Sequence, residues 1–212
     1  MFLLKNEGFG MIQVILASTS PRRRELLSVA GVEFEVMAAD IDETWQTGES
    51  AKEYIIRMVQ NKAVRAASIL SDDGNRTQNP AMIITADTIG VIDDEVLTKP
   101  INKADAFDMW QKMSGRAHEV WTAVCVSIVE DGAIRHKKHI ICSTQVHFIP
   151  LTDEMKERYW QTGEPADKAG AYAIQGGAMA WVERIDGSYT NVVGLPLSQT
   201  LALMNEMQAH VE

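Results

Sequence analysis

Cysteine is scarce in this sequence: Cys125 and Cys142 are the only two among 212 residues. Each lies within an apolar, strand-like run, and their spacing matches neither a disulfide framework nor a metal site. Reduced thiols buried in this way are typical of the reducing compartment of the cell. We therefore predict a cytoplasmic protein without disulfide bonds.

Long hydrophobic runs are also missing. The opening MFLLKNEGFG has only a few apolar residues before Lys5, too few for the core of a signal peptide. No run approaches the roughly 20 apolar residues that span a bilayer. We expect no membrane partner, and we treat residues 1–12 as an N-terminal extension of a single domain over residues 13–212.

Positive charge is in deficit. Asp and Glu number 29 against 20 Lys and Arg, so the formal net charge is -9. Such a surface repels nucleic acid, and we expect no nucleic-acid partner. A small phosphorylated ligand can still bind an acidic protein where a few basic side chains converge.

The common nucleotide-binding loops are absent too. The sequence has no G-x-G-x-x-G and no G-x-x-x-x-G-K-[ST], which excludes the two most frequent phosphate-binding loops. Strand-like and helix-like segments mix without strict alternation, which predicts an α/β fold with a mixed sheet rather than a Rossmann domain. The predicted strands cover residues 13–17, 31–37, 81–92, 117–129, 139–149 and 179–185. The predicted helices follow the capping residues Ser20, Ser50, Asn102 and Thr152, and a last helix covers residues 196–207.

Three arginines open the first predicted helix, in LASTSPRRRELL. Arg22 and Arg23 fall in the first turn, where the helix dipole disfavours a cation by roughly 0.3–1 kcal/mol. The same place suits a phosphate, which would meet free N–H groups and two guanidinium groups together. The alternative is that both side chains reach into solvent or pair with Glu25. We expect Arg24 to be solvated.

Two further charged residues lie on apolar elements. Lys62 falls on the apolar stripe of the second helix, four residues from both Met58 and Ala66, where it either reaches the rim or points at a site. Asp87 lies in the apolar strand IITADTIGVI, where a carboxylate is costly to bury without a partner. It either caps a neighbouring loop or acts as a metal ligand or general base. Glu43, in DIDETW, could join it or stay in solvent.

A loop rich in small residues, DKAGAYAIQGG, carries polar side chains that include Gln175. The Gln175 amide offers both a donor and an acceptor, which suits the edge of a nucleobase, although such a loop can also be a plain connector. Lys99, in LTKP, is a further candidate. Thr88 follows Asp87 and should point to the opposite face of the strand.

In this order, LASTSPRRRELL, IDETW, Lys62, ITADT, LTKP, SGRAHEVWTAV and DKAGAYAIQG resemble the Maf family of nucleoside triphosphate pyrophosphatases. The resemblance implies an elongated, twisted mixed sheet with flanking helices and two lobes around a central cleft. It implies hydrolysis of a nucleotide substrate to the monophosphate and pyrophosphate with a divalent cation, Mg²⁺ or Mn²⁺. A homodimer is common in the family.

The resemblance also assigns roles by position. Asp87 matches the proton acceptor, and the positions linked to substrate choice are Arg22, Thr88 and Gln175. Glu43, Lys62 and Lys99 match polar residues that line the site. Together with the physical reading, this makes Asp87 and Glu43 the expected metal ligands. The expected substrate-binding residues are Arg22, Arg23, Lys62, Thr88, Lys99 and Gln175.

The loop around Gln175 looks like the branch of the family that acts on dTTP and UTP. Two other readings stay open at this point: a pyrophosphatase for 7-methyl-GTP or ITP, and a nucleotide-binding regulator of cell division. Thr85 and Ala173 depart from the family pattern, which usually has glycine at both places. We expect them to narrow the substrate pocket.

Overall fold

A computed structural model describes residues 12–72 and 80–211. All of the predicted extension except Ile12 lies outside the described residues. The strands are β1 Gln13–Leu16, β2 Glu35–Val36, β3 Ala81–Ile92, β4 Glu95–Leu97, β5 Ala117–Glu130, β6 Ala133–Phe148 and β7 Val182–Asp186. The helices are α1 Pro21–Val29, α2 Ala51–Asp72, α3 Lys103–Met113, α4 Asp153–Trp160, α5 Tyr189–Val193 and α6 Leu197–Gln208. Short 3₁₀ turns cover Glu164–Asp167, Ala169–Ala171 and Gly177–Trp181.

The strands form a mixed sheet in the order β2-β1-β3-β5-β6-β7, with β4 paired to β3. Strand β1 runs parallel to both β2 and β3, whereas the β3–β4 and β6–β7 pairs are antiparallel. The predicted α/β class with a mixed sheet and flanking helices is confirmed. No helix among the described residues is both long enough and apolar enough to cross a bilayer. Both cysteines are free thiols.

The chain divides into two compact units. The first unit consists of three segments: the chain up to Asp87, Ala123–Ile141, and the chain from Gly194 onward. The second consists of Thr88–Thr122 and Cys142–Val193. That residues 13–212 act as one domain stays a prediction.

The first unit has an apolar cluster on each face of its strands. In β3, Met82 and Ile84 pack in the cluster that contains Leu27 of α1 and Leu203 of α6. The alternate residue, Ile83, packs instead with the α2 alanines. Side chains alternate along a strand, so the odd-numbered positions of β3 face α2. This alternation carries Asp87 to the α2 side.

The second unit is built around aromatic rings. Trp110 of α3 contacts Trp181 edge-on with ring centroids 5.3 Å apart, and Tyr159 of α4 contacts the same indole at 4.8 Å. Phe148, Tyr172 and His118 extend the cluster through edge-to-face contacts. Such large side chains bury enough area to hold short helices and loops together.

Most predicted helix boundaries are confirmed. The Asn102 and Thr152 side chains accept hydrogen bonds from the third helical residues, and Ser50 and Glu53 form the reciprocal capping box. Gly31, just past α1, has the expected positive φ of 76°. Ser20 occupies the predicted N-cap position, but its side chain makes no capping bond.

Two predicted strands are shorter than expected. Strand β2 has two residues instead of seven, because only Glu35 and Val36 pair with β1. Strand β7 begins at Val182 rather than Met179. The preceding residues form a 3₁₀ turn, which begins where the Gly177 N–H donates to the Glu164 carboxylate at 2.9 Å.

Thr85 does not line an open pocket. It is fully buried in β3, and its hydroxyl donates to the Val59 carbonyl of α2 at 2.7 Å. The expectation that Thr85 narrows the substrate pocket is therefore corrected: the residue fills the interior between β3 and α2. Ala173 is half-buried, and its N–H donates to the Tyr159 hydroxyl at 3.0 Å.

We expect Thr85→Ala to lower the free energy of unfolding by about 1–2 kcal/mol, since it removes a buried methyl group and a satisfied hydroxyl. Urea denaturation followed by circular dichroism measures the change. Thr98→Ala, at an exposed threonine, serves as the control. Equal stability of Thr85→Ala and wild type would contradict this placement.

Candidate active site

Lys62 joins two carboxylates in the first unit. Its ammonium nitrogen lies 2.6 Å from Asp87 Oδ1 and 2.9 Å from Glu43 Oε1. The Lys62 and Asp87 side chains are 13% and 15% exposed, whereas Glu43 is 45% exposed. Two anions thus share one cation in a half-buried place. Lys62 therefore pairs with two carboxylates instead of extending into solvent, and that it points at a ligand site stays a prediction.

Asp87 and Glu43 are suitable ligands for a magnesium-type ion. Both carboxylates bind the same ammonium group, and together with Lys62 they carry one net negative charge. Mg²⁺ is often held by one or two carboxylates and completed by substrate phosphates and water. Within residues 12–72 and 80–211, no group of three or more His, Cys, Asp or Glu side chains is arranged to hold a metal ion.

The start of α1 is suited to an anion. Its first turn has no acidic residue and no side-chain cap. The Arg23 guanidinium makes two hydrogen bonds. Its Nε donates to the Gly194 main-chain carbonyl at 2.8 Å, and its Nη1 donates to Ser18 Oγ at 3.1 Å. Burial lowers the pKa of Arg23, the charge of Asp87 opposes this change, and Arg22 adds to it.

In the second unit, Thr88 belongs to a hydrogen-bonded chain. The Thr122 hydroxyl donates its one proton to the Asn191 carbonyl at 2.9 Å. The Thr88 hydroxyl therefore donates to Thr122 across 3.0 Å. The Asn191 amide in turn donates to the Val120 carbonyl and to Thr144 Oγ1.

The loop that carries Gln175 is fixed by aromatic side chains. The Trp110 indole donates to the Ala171 carbonyl at 3.0 Å, and the His118 ring bonds to the Tyr172 hydroxyl at 2.7 Å. Ala171 has a positive φ of 56°, which a residue with a side chain adopts only when its surroundings require it. Gln175 itself is exposed. Whether the loop binds a nucleobase or is a connector stays open.

Lys99 lies beside the same loop. The carbonyl of the preceding residue, Thr98, accepts a hydrogen bond from the Gly170 N–H at 3.1 Å. The chain at Lys99 and the start of the loop are therefore linked within the second unit.

The structure brings together three of the predicted site residues, Asp87, Glu43 and Lys62. Arg23 is related to them only by the effect of the Asp87 and Glu43 charges on its pKa, and Arg22 precedes it in the first turn of α1. Thr88, Lys99 and Gln175 belong to the other unit. Their participation in one site with Asp87 stays a prediction.

Sequence reasoning missed Tyr54 and Arg57 of α2, which hold the loop that carries Glu43. It also missed Thr122 and Asn191. A buried polar residue on an apolar strand is the signal that could have found Thr122, in WTAVCV.

Comparison with known proteins identifies close relatives. The family model described as "Maf-like protein" matches residues 13–207. A dTTP/UTP pyrophosphatase of Psychrobacter arcticus is 50% identical over 220 residues, covering 92% of this chain and 95% of that protein. A dTTP/UTP pyrophosphatase of Vibrio vulnificus is 44% identical over 197 residues, covering 92% and 99%. Among solved structures, a HAM1 protein from Coxiella burnetii superimposes with a TM-score of 0.42 at 13% identity, covering 92% of this chain and all of that one (100%).

Replacing Lys62 should strengthen divalent-cation binding to the protein alone. Lys62→Met removes the ammonium that competes for Asp87 and Glu43, so we expect Mn²⁺ to bind about tenfold more tightly. Electron paramagnetic resonance of free Mn²⁺ measures the affinity, with the exposed α2 variant Lys52→Met as control. Unchanged or weaker binding in Lys62→Met would show that the two carboxylates do not form a cation site.

His118 should make stability depend on pH. Burial lowers its pKa from 6.5 to about 3. Between these values the unfolded chain binds a proton that the folded chain does not, so stability falls as the pH falls through this window. The slope from this residue is at most about 1.4 kcal/mol per pH unit.

We expect urea denaturation between pH 7 and pH 4 to show a flatter profile for His118→Gln than for wild type. The control is His139→Gln, at an exposed histidine, which should retain the wild-type slope. Parallel profiles for wild type and His118→Gln would refute the assignment.

Proposed function

This chain belongs to the Maf-like protein family, and we propose that it is a pyrophosphatase that hydrolyses dTTP and UTP to the nucleoside monophosphate and pyrophosphate. The observation that carries the proposal is the Lys62 ammonium bound between Asp87 and Glu43. The relatives named dTTP/UTP pyrophosphatase support it, since they are 44–50% identical to nearly the whole chain. Their name favours this branch over the 7-methyl-GTP and ITP alternatives.

The reaction we propose is attack of water on the α-phosphorus. A bond forms between the water oxygen and phosphorus, and the bond to the α–β bridging oxygen breaks, so that pyrophosphate departs. Asp87 accepts the proton of the attacking water. A carboxylate can do this once the Lys62 ammonium turns from it to the incoming phosphates.

Basic side chains stabilise the charge that develops on the phosphate oxygens and on the departing pyrophosphate. In the first unit, this stabilisation comes from Arg22, Arg23 and Lys62. The N–H groups at the start of α1 add to it. Lys99 is assigned the same role from the second unit. The reaction needs no nucleophile from the protein, because phosphoryl transfer depends mainly on positioning and electrostatic stabilisation.

A divalent cation, Mg²⁺ or Mn²⁺, would be held by Asp87 and Glu43 and would neutralise phosphate charge. We assign the choice of base to Gln175, whose amide can both donate to and accept from a pyrimidine edge, and to Thr88, whose oxygen acts as an acceptor. We also assign Arg22 to substrate choice, because it matches a position that the family resemblance links to that choice. The homodimer and the cytoplasmic location stay predictions.

A nucleotide panel tests the proposal. We expect wild-type protein with Mg²⁺ or Mn²⁺ to release pyrophosphate, not orthophosphate, from dTTP and UTP faster than from ITP or 7-methyl-GTP. Asp87→Asn should lower kcat by at least about 100-fold, because an amide cannot accept the proton at neutral pH. Product analysis by ion-exchange chromatography distinguishes the two phosphates.

The matched control is Asp108→Asn, at an exposed acid on α3, which should retain wild-type rates. An Asp87→Asn variant as active as wild type would refute the role of Asp87. Tight nucleotide binding without turnover would instead identify a regulator.

A further inference from the structure

The Glu43 carboxylate is carried by an irregular segment, residues 37–50, between β2 and α2. The side chains of residues 42–48 are all exposed, so burial cannot fix the backbone there. A catalytic carboxylate needs a support that holds it near its productive position. The contacts of this segment with α2 provide such a support.

Tyr54, in the first turn of α2, holds the main chain of Glu43. Its hydroxyl donates to the Glu43 carbonyl at 3.2 Å, and its ring stacks on Trp45 with centroids 4.5 Å apart and planes 19° apart. Burial, followed by the charges of Asp87 and Glu43, raises the pKa of Tyr54 to about 12. The hydroxyl therefore stays protonated and remains a donor.

Arg57, three residues further along α2, holds the next peptide. Its Nη2 donates to the Thr44 carbonyl at 3.0 Å. The same guanidinium forms a two-pronged ion pair with Glu49, at 2.5 Å and 2.6 Å. The Glu49 and Arg57 side chains are only 7% and 19% exposed, so separating them would leave a charge without a partner in a poorly hydrated place.

One helix thus holds Glu43 at both ends. Tyr54 binds its main-chain carbonyl, and Lys62, two turns further along α2, binds its carboxylate at 2.9 Å. Residues eight apart lie on the same side of a helix. Since Lys62 also binds Asp87, helix α2 sets the separation of the two carboxylates.

We propose that Tyr54 and Arg57 are positioning residues for the Glu43 carboxylate, acting through the main chain of Glu43 and Thr44. The inference rests on the proposed function and extends it to residues that themselves touch no substrate. It predicts that the hydroxyl of Tyr54 matters only while Glu43 has a carboxylate to position.

A double-mutant cycle tests this dependence. Tyr54→Phe removes the hydroxyl and keeps the ring that stacks on Trp45. We expect it to lower kcat/KM for Mg²⁺–dTTP about tenfold in wild type and less than twofold in a Glu43→Gln background. Tyr189→Phe, at an exposed tyrosine of α5, should change neither value. An equal loss in both backgrounds would overturn the proposal, because a merely structural hydroxyl does not depend on the carboxylate.

Hydrogen exchange provides a second readout that needs no activity. In Tyr54→Phe, the amides of residues 43–46 should exchange at least about tenfold faster, while those in the middle of α2 keep their wild-type rates. Unchanged exchange in the segment, or equal acceleration throughout α2, would overturn the proposal. If wild type hydrolyses no nucleotide, the proposed function fails, and exchange still decides whether Tyr54 holds the segment.

Discussion

One ammonium group shared by two carboxylates is the constraint on which the candidate site depends. Asp87 lies in the middle of the apolar strand β3, where a carboxylate without a partner is costly. Lys62, on α2, offsets that cost by pairing with Asp87. The same ammonium group also pairs with Glu43. The arrangement requires three elements at once: an alternating strand, a long helix packed on one face of it, and a segment tied to that helix.

Much of this could be predicted from the sequence. Alternation along β3 and the helical spacing of α2 put Asp87 and Lys62 on elements that pack together, and both residues stand out because they are charged on apolar faces. The capping residues of α2, α3 and α4 could also be predicted, because the hydrogen bonds they make are local in the sequence. Features that depend on residues close together in the sequence can be predicted without a structure.

What could not be predicted depends on contacts between distant segments. Tyr54 and Arg57 read as ordinary residues of an amphipathic helix, and only the return of the Glu43 segment gives them partners. Thr85 matched a position where glycine was expected, and its burial against α2 is a tertiary fact. The missing side-chain bond at Ser20 is informative in another way. The Ser20 hydroxyl does not accept from the N–H groups in the first turn of α1, and such N–H groups suit a phosphate.

The central claim is that Asp87, Glu43, Lys62 and the α1 arginines surround one triphosphate. A crystal structure with Mg²⁺ and the non-hydrolysable α,β-imido analogue of dUTP tests this most directly. The account predicts phosphate oxygens within hydrogen-bonding distance of Arg22 or Arg23 and of Lys62, with Asp87 facing the α-phosphorus. A triphosphate bound elsewhere, with the Lys62–Asp87–Glu43 cluster unchanged, would contradict it.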